Sequence, residues 1–102
     1  MSADRQQLLE QALRQTHRML ALASEDAWRE VVALEAERRA ILEQAFATRE
    51  PLTESLAAQV REILALDQVL MEASLRLRDQ IGSELGELSR GRRGTEAYRA
   101  TA

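Results

Sequence analysis

Residues 53–89, TESLAAQVREILALDQVLMEASLRLRDQIGSELGELS, decide the fold. Leu56, Val60, Ile63, Leu70, Leu77, Ile81, Leu85 and Leu88 recur at steps of three and four, with Asp67 and Ser74 in phase among them. That spacing follows the helical period and predicts one long amphipathic helix over about residues 53 to 89. Upstream, Pro51 marks a break, because the residue before a proline is pushed out of the helical region. Before the break, Trp28, Val31, Val32, Leu34, Ile41, Leu42, Ala45 and Phe46 form a second stripe, interrupted by Glu35, Arg38 and Arg39. It predicts a helix over about residues 24 to 47. Ser24 reads as its N-cap, and Glu25 and Asp26 sit where acids complement the helix dipole. A third stripe, Leu9, Ala12, Leu13, Thr16, Met19, Leu20 and Ala23, predicts a first helix over about residues 4 to 23.

The connections near residue 24 and residues 48–52 are short, and short connections join antiparallel neighbours. The expected fold is all-α: an antiparallel three-helix bundle with a long third helix and a short C-terminal tail or helix. Residues 1–90 make the bundle domain, and residues 91–102 a flexible or weakly helical regulatory tail whose bulky apolar residue is Tyr98. Gly82 and Gly86 lie four apart near the end of the third helix and suit a kink or a close approach of backbones. Each costs about 1 kcal/mol relative to alanine in a helix interior.

Composition agrees. The chain has 102 residues, enough for one domain. It contains one proline, four glycines and 3% aromatic residues. Ala, Leu, Glu, Gln and Arg, all strong helix formers, dominate the rest. Cysteine is absent, which excludes disulfides, thiolate metal sites and a cysteine nucleophile. The first residues, MSADRQQLLE, lack the continuous apolar core of a signal peptide. No apolar run approaches the 18 or so residues of a membrane span. A cytoplasmic protein without membrane insertion is expected.

Chemistry is sparse. Catalysis needs convergent titratable groups in a pocket, and His17, the single histidine, lies at the edge of the first stripe between Thr16 and Arg18. No zinc or di-iron spacing and no glycine-rich phosphate loop is present. The expectation is a protein with no enzymatic activity, no cofactor and no metal. Arg90, Arg92 and Arg93 form the basic cluster, but the net charge of −3 argues against nucleic acid. Glu35, Arg38, Arg39 and Asp67 lie on or beside apolar stripes. Burying a lone charge is costly, so they are expected as interhelical ion pairs that fix register or at the rim, the alternative being contact with a charged partner.

Helix length points to function. At 1.5 Å per residue the first two helices reach about 30 to 33 Å and the third about 55 Å. A hairpin of the first two leaves the last turns of the third uncovered. Leu77, Ile81, Leu85 and Leu88 then form contiguous exposed apolar surface, the mark of an interaction site. Leu70 and Trp28 are its candidate neighbours, tryptophan being common in binding hot spots although more often core. Three covers fit: a partner protein, a homodimer, or the tail folding back with Tyr98.

The stretch MLALASEDAWREVVALEAERRAILEQAF, residues 19–46, resembles the FliT-type flagellar export chaperones. The matching positions are Leu20, Leu22, Ala23, Asp26, Trp28, Leu34, Glu35, Arg38, Ile41 and Leu42. REILALDQVLMEA, with Ile63, Leu64, Asp67 and Leu70, is similar to the family's long third helix. The arginines followed by Ala97, Tyr98 and Arg99 resemble its terminal segment. The resemblance implies a cytoplasmic chaperone of flagellar type III export. Such a chaperone binds the C-terminal segment of the filament-cap protein, prevents its premature assembly and delivers it to the export gate. In some lineages it also meets the export ATPase complex and the flagellar master regulator. It further implies that the terminal segment folds over the binding groove. The competing expectation is a dimeric coiled-coil adaptor with no export client.

Overall fold

The computed structural model describes the backbone of residues 2–101 and the side chains of residues 4–91. Three helices follow one another: α1 Ser2–Ser24, α2 Trp28–Ala45 and α3 Glu54–Thr101. No strand occurs among the described residues. The chain divides into two compact units, Met1–Met71 and Glu72–Ala102. The first holds α1, α2 and the start of α3; the second is the remainder of α3.

The first unit is an antiparallel three-helix bundle with two apolar clusters. Leu9 from the start of α1, Ala45 from the end of α2 and Leu56 from the start of α3 form one, with Leu8, Leu42 and Val60 against them. Met19 and Ala23 from the end of α1 and Val31 from the start of α2 form the other, with Leu22, Trp28, Leu34 and Leu70 around them. The start of one helix meets the end of the next, which is the up-down-up order expected from the short connections.

The boundary between α1 and α2 differs from expectation. Ser24 does not cap α2. It closes α1, where its hydroxyl donates to the Ala21 carbonyl at 2.6 Å. Ala27 N–H donates to Leu22 O at 2.9 Å and Asp26 N–H to Ala23 O at 3.1 Å, the paired bonds of a Schellman ending. That ending needs a left-handed residue, and Asp26 supplies it at φ 59°. Aspartate tolerates this conformation better than most side chains. α2 starts at Trp28 after Ala27, which has no side-chain cap. Ser, Glu and Asp in a row therefore imitated an N-cap signal while serving a helix stop.

Thr53 caps α3 by accepting the Leu56 N–H at 3.2 Å on its hydroxyl, with Glu54 in the first turn. α3 continues past residue 89 to Thr101 without the interruption expected near Gly91. Glycine lowers helix propensity but keeps its N–H, so the hydrogen-bond ladder survives where proline would break it. Tyr98 lies outside the residues whose side chains are described. Among the described residues, the close approach expected at Gly82 and Gly86 does not occur. A Cβ at Gly82 would meet nothing within 4 Å, and one at Gly86 would meet only the Arg90 guanidinium, at 3.4 Å.

Arg5 lies ahead of the apolar stripe of the first helix as read from sequence. It is buried near the start of α1, donates to the Glu50 carbonyl at 2.9 Å and stands 5.6 Å from the Phe46 ring centroid. Its long apolar stem accounts for the burial, with the charged head held on a carbonyl and a ring face.

Candidate functional site

The charged residues on the stripes do not form one group. Arg38 is buried on α2 and donates through one nitrogen to Asp67 on α3 at 2.5 Å and to Thr16 on α1 at 3.0 Å. Thr16, fully buried, donates in turn to the Ala12 carbonyl at 2.8 Å. One polar chain thus crosses all three helices between the two apolar clusters. Glu35 and Arg39 instead pair along α2, at 2.5 Å, with both side chains exposed. His17, also exposed, lies 3.9 Å from Glu62 on α3. The sequence placed Thr16 among apolar positions; a threonine can do so in a helix because its hydroxyl satisfies itself on the carbonyl four residues back.

The candidate contact residues fall in both units. In the first, Trp28 and Leu70 are half-buried and pack on the cluster of Met19, Ala23 and Val31. In the second, Leu77 is half-buried, while Ile81, Leu85 and Leu88 are exposed by 47%, 61% and 68%. These positions share one phase of α3 at steps of four, four and three. Exposed leucines scattered singly need no explanation, but a row along one helix face does. Other large apolar side chains stand open in the first unit: Val32 on α2 and Leu64, Val69 and Met71 on α3.

Concave sites are modest. α2 carries a hollow of about 320 Å³ with Leu42 and Phe46 beside Glu35, Arg38, Arg39 and Glu43. Among the described residues no three His, Asp or Glu side chains converge as a metal site. No helix is long and apolar enough, among those residues, to cross a membrane. What the geometry offers is helix surface.

The family described as flagellar protein FliT matches residues 6–100. The chain belongs to the FliT family. The match takes in all three helices, including the part of α3 after Met71. No curated protein and no solved structure matches the chain. FliT membership implies a flagellar export chaperone, a class of binding proteins rather than enzymes, with partners in flagellar export. The FliT match also takes in Trp28, Arg38, Asp67 and the exposed α3 row.

Proposed function

We propose that this FliT-family chain is a cytoplasmic export chaperone whose client is the C-terminal segment of the filament-cap protein. The observation that carries the reading is the exposed row of Ile81, Leu85 and Leu88, with Leu77 half-covered at its start. An amphipathic client segment lays its apolar face on this row, in the helix-in-groove mode read through residues three and four apart. Covering the client's apolar end prevents premature assembly until the complex reaches the export gate. Contacts with the export ATPase complex and the flagellar master regulator are secondary roles of the same chaperone. Tyr98 belongs to a terminal segment that regulates access.

The test is titration of the purified cap-protein C-terminal segment into the chain and into a Leu77→Asp/Ile81→Asp variant. Binding is expected to vanish in the variant while circular dichroism stays helical. Unchanged affinity would sink the assignment. If neither form binds and sedimentation shows a stable dimer that the same substitutions dissociate, the dimeric coiled-coil adaptor replaces it.

A further inference from the structure

The apolar stripe of α3 is close to degenerate under a slip of one heptad. Leu56, Ile63, Leu70 and Leu77 stand seven residues apart and offer similar side chains. Sliding α3 by seven residues would put Ile63 where Leu56 packs on Leu9 and Ala45, and Leu77 where Leu70 packs on the cluster of Met19, Ala23 and Val31. Apolar burial alone separates these registers weakly, because it is non-directional and follows area. The lengthened connection is tolerated, since loop-closure entropy grows slowly with length.

The polar positions are not degenerate. Val60, Asp67 and Ser74 carry the same spacing, and only Asp67 can neutralise Arg38. We propose that Thr16, Arg38 and Asp67 act as a register lock. They select one alignment of α3 on α1 and α2, and so determine where its covered stripe ends. In the slipped alignment Ser74 stands opposite Arg38 and accepts a hydrogen bond without carrying charge. The guanidinium is then buried unpaired, which is strongly unfavourable. Thr16 accepts from the same guanidinium nitrogen, so α1 is indexed with the other two helices. A single buried polar contact is known to specify register at a cost in stability. The consequence for binding is direct: in the slipped alignment Leu77 leaves the exposed row and enters the core.

Spin-label distances test the lock without any client. The chain has no cysteine, so cysteines introduced at exposed Gln6 and Gln68 take labels specifically, and dilution with unlabelled protein keeps the distances within one chain. The wild-type background is expected to give one distance. The apolar variant Thr16→Val/Arg38→Met/Asp67→Leu is expected to keep or raise its urea midpoint. It should also gain a second, shorter distance, because a heptad slip moves Gln68 by about 10 Å along the axis toward the start of α1. Asp67→Leu alone, which leaves Arg38 unpaired in either register, should lower the midpoint. A single native distance in the triple variant overturns the proposal. Loss of folding or a lower midpoint in it does too, since the network would then stabilise rather than select.

Discussion

Ile63 and Ile81 are the same residue, on the same face of one helix, about five full turns apart. Ile63 is 4% exposed and Ile81 47%. One periodic pattern therefore serves two purposes along α3. Up to Leu70 it faces residues of α1 and α2 and becomes core. Further along, Leu77 is half-buried and Ile81, Leu85 and Leu88 stand exposed among the described residues. Periodicity says that a stripe will be covered; it does not say by what.

The largest effect that sharpens this contrast is Ile63→Ala. Removing a buried isoleucine side chain costs roughly 2 to 5 kcal/mol through lost transfer energy and the remaining cavity. Ile81→Ala should change the unfolding free energy by less than about 0.5 kcal/mol and weaken client binding instead. Equal destabilisation by the two variants would show that the two halves of the stripe are one core after all.

Next is Asp67→Ala, which strands the buried Arg38. Asp67's side chain is 30% exposed against 10% for Arg38, so water screens part of the loss. The expected destabilisation is about 1 to 3 kcal/mol by denaturant unfolding. A smaller and opposite effect follows from Gly82→Ala. Its Cβ meets nothing within 4 Å among the described residues, so α3 should gain up to about 1 kcal/mol of helix stability, read as added protection in hydrogen exchange. Weaker client binding by this variant would place the client backbone close to Gly82. Smallest is Glu35→Ala, which breaks an exposed pair along α2 and should cost about 0.3 to 0.5 kcal/mol. A loss as large as that of Asp67→Ala would contradict the distinction between the two ion pairs.

Much of the bundle was legible because local rules and tertiary needs agreed. The three stripes and the break at Pro51 depend on near neighbours in sequence. The turn at residues 24–27 is ambiguous in sequence because Ser24, Glu25 and Asp26 suit a helix start as well as a helix stop. The deciding term is the left-handed backbone of Asp26, a choice made by how α1 must end to let α2 return. The continuation of α3 to Thr101 is not legible in the sequence, because glycine lowers helix propensity there while the hydrogen-bond ladder that carries the helix through leaves no mark on residue type. In the candidate site, the exposed row followed from helix lengths alone. The roles of Thr16 and Arg5 did not, since neither a buried threonine nor a buried arginine announces its partner in sequence.

Composition and apolar period by themselves determined the all-helical class, the number of helices and their antiparallel order, because these follow from side chains three and four residues apart and from short connections. FliT resemblance in the residues supplied the functional class. Tertiary structure alone decided that Arg38 joins Thr16 and Asp67 while Arg39 turns back to Glu35. Adjacent arginines on a helix point about 100° apart, and which of them is buried depends on where the other two helices lie.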